Sequence, residues 1–268
     1  MSLVLLMALM VAQSGFVPAT AEERYVADLR AQIARGDVDA EVALGNLYEA
    51  GSVLPQDPQQ AAEWYRRAAD KGHTGAQMNL AMMYFDGEGV PRDVAQAVMW
   101  FEKAAERGES IASFTLGSIY ETGTDRVRQD EAKAATWYRK AAEQGLGTAQ
   151  YRLALMYRDG RGVSRDTTQA IAWFRKAADR GEADAQIELG ILLSPDHGAF
   201  TDIVEAHTWF NLAASRWKDE AKRVQAARLR DELEKTLTPD QRADAYRRAT
   251  AWQDSHSWQQ QSAASKSK

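Results

Sequence analysis

Between Pro58 and Asp70 the chain reads PQQAAEWYRRAAD, with small or aromatic side chains at Ala61, Trp64, Tyr65, Ala68 and Ala69. That i, i+3, i+4, i+7, i+8 spacing puts them on one face of a 3.6-residue helix and leaves the charged residues on the other. The same face returns at Ala97, Trp100, Phe101, Ala104 and Ala105, and at Ala134, Trp137, Tyr138, Ala141 and Ala142. A second helical pattern precedes each copy: VALGNLY, MNLAMMY, FTLGSIY, YRLALMY and IELGILL, anchored at Leu44, Leu80, Leu116, Leu153 and Leu189. One residue after each anchoring leucine stands Ala or Gly, small enough for a paired helix to approach closely.

The tryptophans that open each Trp–aromatic pair, Trp64, Trp100, Trp137, Trp173 and Trp209, are 36, 37, 36 and 36 residues apart. A fixed period of this size is the sequence mark of a repeat array, and five copies fill residues 38–217. Each copy is two helices and a turn, so the predicted fold is all-α, a solenoid in which a repeat touches its neighbours. Helices of this length are marginal alone in water and depend on stacking. A buried tryptophan removes roughly 150–250 Å² from water, an upper-bound gain of about 4–6 kcal/mol. The tryptophans are therefore expected to be the main wedges between hairpins.

The segment MYRDGRGVSRD, residues 156–166, has the look of a binding loop, and MYFDGEGVPRD repeats it 73 residues upstream. A calcium loop would need a bidentate carboxylate at its twelfth place. Counted from Asp159 and Asp86, that place holds Ala170 and Ala97. A phosphate cradle would need a third glycine and a preceding strand. The segment reads instead as a turn: Asp159 and Gly160 end one helix, Val163 tucks inward and Asp166 caps the next. Gly72, Gly108, Gly145 and Gly181, after the charged ends of the second helices, are expected to be left-handed cap residues.

These motifs together resemble the Sel-one-like repeat family, a tetratricopeptide-like class of α-solenoid. The resemblance rests on Ala40, Leu44, Gly45, Tyr48 and Gly51 in the first helix, the Gly-x-Gly-Val turn, and the Ala-x-x-Trp-Tyr/Phe-x-x-Ala-Ala second helix. It covers about two thirds of the chain and implies a right-handed α-solenoid with helical caps at both ends. Repeat five departs from the pattern, with Leu193 in place of the tyrosine and SPDHGAFTD as its turn, so a distorted hairpin is expected there.

Outside the repeats, the uncharged apolar run Leu3 to Ala12 is too short to span a bilayer. Its length and the small-x-small triplet Ala19-Thr20-Ala21 fit an export signal over residues 1–21, although no lysine or arginine precedes the run. The alternatives are a buried N-terminal helix or a misplaced start. Residues 22–37 read as a capping helix, and 218–252 as two more, the second opened by the capping box Thr238-Pro239-Asp240-Gln241. Residues 253–268 are polar and low in complexity, and are expected to be disordered.

Composition narrows the chemistry. A net charge of −5 without a clustered basic patch argues against nucleic acid as a partner. The absence of cysteine removes disulfides, thiolate metal sites and thiol nucleophiles. The four histidines, His73, His197, His207 and His256, have no second ligand at helical spacing, so no metal or cofactor is expected. Ser215-Arg216-Trp217-Lys218 matches the Ser-x-x-Lys string of penicillin-recognising enzymes, but the chain contains neither Ser-Asp-Asn nor Lys-Thr-Gly. The tryptophan series could stack bases or sugars, yet its place on the alanine stripe marks it as core.

What differs between copies is the outward side of the first helix: Asn46 and Glu49; Asn79, Met82 and Phe85; Thr115, Ser118 and Glu121; Arg152, Leu155 and Arg158; Glu188 and Ile191. In tetratricopeptide-like packing these positions point into the concave face. Met82, Phe85, Leu155 and Ile191 would supply apolar anchors there, and Arg152 and Arg158 would fork onto carboxylates. The expected function is a non-enzymatic scaffold that binds a segment of another protein, with no stable membrane insertion once the signal is removed. The family resemblance implies an envelope regulator or assembly factor. The alternatives are a β-lactam- or cell-wall-acting hydrolase and a protective, immunity-type inhibitor of a toxic enzyme. The expected location is periplasmic or secreted, or cytoplasmic if the N-terminal segment is not a signal.

Overall fold

A computed structural model of the chain describes residues 20–124, 126–195, 201–217 and 219–266. Among the described residues lie thirteen α-helices and no strand. They form two compact units, the first ending at Arg107 and the second beginning at Gly108. The first holds α1 (Ala21–Ala34), α2 (Val38–Ala50), α3 (Pro58–Asp70), α4 (Thr74–Asp86) and α5 (Val94–Glu106). The second holds α6 (Ser110–Thr122), α7 (Glu131–Glu143), α8 (Gly147–Asp159), α9 (Thr167–Asp179), α10 (Ala183–Leu193), α11 (Ile203–Arg216), α12 (Glu220–Glu234) and α13 (Pro239–Lys266). The repeats are the hairpins α2–α3, α4–α5, α6–α7, α8–α9 and α10–α11.

Local chemistry sets the hairpin ends. Each second helix begins at an aspartate whose carboxylate accepts from a backbone N–H in the first turn: Asp57 from Gln60, Asp93 from Gln96, Asp130 from Lys133, Asp166 from Gln169 and Asp202 from Glu205. Such a bond satisfies one of the donors a helix start leaves free. The backbone N–H of each aspartate donates back to the first helix, to the carbonyls of Tyr48, Tyr84, Tyr120, Tyr157 and Leu193 at 2.8–3.0 Å. The aspartate thus starts one helix and ties it to its partner. After the second helices Gly72, Gly108, Gly145 and Gly181 have φ between 85° and 91°, as the cap positions require.

The turn of residues 156–166 is a helix cap followed by a close contact. Gly160 takes φ 72° and closes α8, and the backbone N–H of Arg161 donates to the carbonyl of Met156 at 3.0 Å. Gly162 takes φ 64°, and a Cβ there would stand 2.0 Å from the carbonyl oxygen of Glu131, at the start of α7 in the preceding repeat. Gly89 makes the same approach to the carbonyl oxygen of Pro58. Val163 is partly buried against the core.

The core does not centre on tryptophan as expected. Trp100, Trp173 and Trp209 are buried, but Trp64 and Trp137 are only half-buried, with Arg67 and Lys140 lying over their rings. The deepest wedge is the next residue: Tyr65, Phe101, Tyr138, Phe174 and Phe210 are all fully buried. The tryptophan stands at the margin of the apolar stripe, where its large ring also shields the stem of a cation one turn on. Opposite the wedge is the small residue of the first helix. A Cβ on Gly45, Gly117 or Gly190 would lie 2.6, 2.5 and 2.6 Å from ring atoms of Tyr65, Tyr138 and Phe210.

The ends are helical. Thr20 and Glu23 form a capping box at the start of α1, whose Val26 and Leu29 are buried. Residues 1–19, most of the expected signal, lie outside the described residues. At the other end Thr238 and Gln241 exchange the bonds of the expected capping box. The last helix continues to Lys266, past the expected end near Trp252 and through residues expected to be disordered. No proline or glycine interrupts residues 240–266, and the His256 ring stacks on Trp252 with centroids 3.8 Å apart, one turn along. In repeat five α10 is two residues shorter than the other first helices and ends at Ser194 in an extended conformation instead of a left-handed glycine; residues 196–200 are outside the described set.

Candidate functional site

The positions that vary between copies are built on the first helices, and each unit carries its own group. In the first unit Asn46 and Glu49 stand on α2, and Asn79, Met82 and Phe85 on α4. The Tyr65 hydroxyl shares its one proton between Glu49 Oε2 at 2.5 Å and Asn46 Oδ1 at 2.7 Å, so both polar side chains sit over the wedge of their own hairpin. Burial, the Glu49 bond and the Glu49 charge raise the Tyr65 pKa above its ordinary value, so this hydroxyl stays protonated and donates. Asn79 and Phe85 are half-buried, and Met82 is 44% exposed.

In the second unit the Tyr138 hydroxyl donates to Glu121 Oε2 at 2.7 Å, the counterpart of Tyr65 and Glu49. Glu121 then gathers cations from the next repeat. Arg161 Nη1 is 2.9 Å from Oε1, and Arg152 Nη1 is 4.0 Å from Oε2. Burial works to raise the Glu121 pKa, but the bonds from Tyr138 and Arg161 and the charges of Arg152 and Arg161 together hold it below the usual carboxylate value. Thr115 turns back to its own helix and donates to the carbonyl of Ile111 at 2.9 Å, and Ser118 is half-buried.

Arg158 does not wait for a partner. Its Nε and Nη2 fork onto the two carboxylate oxygens of Asp159 at 2.7 and 3.0 Å, and Nη1 reaches Glu188 Oε2 at 2.7 Å. Those bonds, with the Asp159 bond foremost, raise the Arg158 pKa and lower that of Asp159. Arg152 is the exposed guanidinium, its side chain 47% accessible. Leu155 and Ile191 are partly buried against the core, which makes them as much packing as surface.

Alternation between repeats was not drawn from the sequence, although its residues are there. Odd repeats one and three pair a glycine on the first helix with a tyrosine wedge and a glutamate: Gly45, Tyr65 and Glu49; Gly117, Tyr138 and Glu121. Even repeats two and four pair an alanine with phenylalanine, Ala81 with Phe101 and Ala154 with Phe174, and carry the Gly-x-Gly turn. Two repeats therefore make one unit of pattern, and the turn of the even member docks on the odd member's second helix.

The Ser215 hydroxyl donates to the carbonyl of Leu212 at 2.9 Å and accepts from Gln253 Nε2 at 3.2 Å, and Lys218 lies outside the described residues. Among the described residues no cluster of three histidines or carboxylates could hold a metal ion, and no helix is long and apolar enough to cross a membrane.

Stacked two-helix repeats with a variable first-helix face define an α-solenoid repeat protein. The Sel1 repeat pattern matches residues 38–73, 74–109, 110–146, 147–182 and 183–216, and the chain belongs to the Sel1 repeat family. Members of this family are protein-interaction scaffolds, and the fold is in general non-enzymatic. A Sel1 repeat protein from Oxalobacter formigenes is similar in structure, with a TM-score of 0.68 and 28% identity over 82% of this chain and 88% of that one. The protective antigen c5321 of uropathogenic Escherichia coli aligns with 26% identity and a TM-score of 0.42 over 84% of this chain and 63% of that one. Immunity protein Pa5087 of Pseudomonas aeruginosa aligns with 19% identity and a TM-score of 0.39 over 74% and 82%. No curated protein matches the chain.

Proposed function

We propose that the chain is an exported, non-enzymatic scaffold that holds a segment of another protein on its first-helix face, as a regulator or assembly factor of the cell envelope. One observation carries this reading. At the same helical register, residues that keep the hairpins together are constant and buried, while their outward neighbours change and leave Met82 and Arg152 exposed. Exposed apolar anchors and unburied guanidinium groups are the residue types that recognition surfaces favour. The apolar segment Leu3–Ala12 and the triplet Ala19-Thr20-Ala21 support export.

A photoreactive amino acid at Met82 or Arg152, with crosslinking in intact cells and mass spectrometry, tests the docking face. Both positions are expected to capture one shared partner that the same probe at Thr136, exposed on the second helix α7, does not. Equal capture from all three positions would remove the assignment. Fractionation with N-terminal sequencing of the mature protein tests export: recovery in the periplasm or medium with a start near Glu22 is expected.

A further inference from the structure

The two repeat pairs share a backbone and differ in charge, and the difference names a partner. Repeats three and four supply both sides of an ion pair. Glu121 on α6 accepts from Tyr138, and Arg161, at the centre of the Asp159-Gly160-Arg161-Gly162 turn, fills the space beside its second oxygen at 2.9 Å. Repeats one and two rebuild that geometry. Glu49 accepts from Tyr65, and the turn Asp86-Gly87-Glu88-Gly89 docks in the same way, Gly89 against the Pro58 carbonyl as Gly162 is against that of Glu131. The residue in the place of Arg161 is Glu88. Asn79 stands where the second pair has Arg152, and Phe85 where it has Arg158.

The first unit has therefore kept the carboxylate and lost both guanidinium groups around it, those of Arg152 and Arg161. Among the described residues neither Glu49 nor Glu88 has an ion-pair partner, and Glu49 accepts only the Tyr65 hydroxyl on its side chain. Next to them lie the exposed Met82 and the half-buried Phe85. Two unneutralised carboxylates over an apolar patch repel an acidic segment and attract a basic one.

We propose that the first unit's face, formed by Asn46, Glu49, Asn79, Met82, Phe85 and Glu88, docks a segment of a partner protein that carries an arginine or lysine beside an apolar side chain. The incoming cation takes, next to Glu49, the place that Arg161 takes next to Glu121, and the apolar side chain covers Met82 and Phe85. This rests on the reading that the first-helix face binds protein.

Selection of a random dodecapeptide display library on the immobilised full chain, read by sequencing, tests both and separates them. Enrichment of peptides with arginine or lysine within two residues of Leu, Ile, Met or Phe is the expected result. One enriched peptide, resynthesised with a fluorophore, is expected to bind the Glu49→Gln and Glu88→Gln variants about tenfold more weakly each, and a Thr136→Ala variant, altered on the exposed second-helix side, unchanged. Glutamine retains an acceptor for the Tyr65 hydroxyl, and Glu88→Gln lies on an exposed turn, so unchanged melting of either variant isolates the charge effect. Enrichment without basic residues, or binding by both glutamine variants as tight as by the unaltered chain, overturns this proposal and leaves the docking face intact. No enrichment of any peptide overturns both.

Discussion

The hydroxyl of Tyr138 and the carboxylate of Glu121 meet at 2.7 Å, and the Tyr138 ring packs directly against Gly117, one helical turn before that glutamate. The hydrogen bond anchors the ring at its far end, and the missing side chain of Gly117 admits it. In repeats two and four both features are absent together: alanine faces a phenylalanine that has no hydroxyl to anchor.

The two features are thus expected to be coupled. Gly117→Ala would drive a methyl to 2.5 Å from the ring and cost about 2 kcal/mol. Tyr138→Phe would cost about 1 kcal/mol for the lost bond. The double variant, which restores the even-repeat solution, is expected to cost at least 0.5 kcal/mol (~) less than the two added. Urea midpoints of the four proteins measure this, and strict additivity would contradict it.

Substitution at Gly162 separates a backbone requirement from a binding role for the turn. Alanine there meets the Glu131 carbonyl at 2.0 Å and must hold φ 64°. The expected loss is roughly 3 kcal/mol. Arg165→Ala, in the same turn and exposed, is expected to change stability by less than about 0.5 kcal/mol. Thermal melts of the two variants distinguish them.

Adjacent aromatic residues should differ in weight. Tyr138→Ala empties a fully buried site and is expected to cost about 3–5 kcal/mol. Trp137→Ala removes a half-buried ring under Lys140 and is expected to cost less, about 1–2 kcal/mol. Equal losses in denaturant titrations would return the main wedge to tryptophan.

His207 makes the junction between α11 and the C-terminal helices sensitive to acid. It is fully buried, 3.6 Å from Glu234 and edge-on to Tyr246, and burial lowers its pKa despite the glutamate. The unfolded chain takes up this proton near the ordinary value of about 6.5 while the folded chain resists it. Its neutral form therefore supports the fold fully above about pH 6.5, and that contribution declines as pH falls below it. Melting temperature is expected to drop between pH 7 and 5, and to drop less in His207→Phe. An equal slope in the variant would exclude this histidine as the cause.

Much of the architecture could be read from the chain because helical period and capping are local. The Asp57, Asp93, Asp130, Asp166 and Asp202 caps and the left-handed glycines each act within a few residues of themselves, and the small residues of the first helices recur at the fixed period of the repeat. Which positions change within a fixed scaffold was legible too, since they stand out by internal comparison. The condition of their side chains was not. Arg158 is spent on Asp159 and Glu188, and Asn46, Glu49 and Glu121 accept from buried tyrosines.

The sequence by itself determined how many hairpins there are, where each helix starts and stops, and which side of it is apolar. Only the tertiary structure decided which aromatic ring goes deepest and which charges are already answered. Periodicity assigns a residue to a face, but burial and ion pairing depend on what another repeat brings within a few ångströms. Arg161 finds Glu121 from 40 positions away, and Glu88, in the matching turn, brings Glu49 no cation at all.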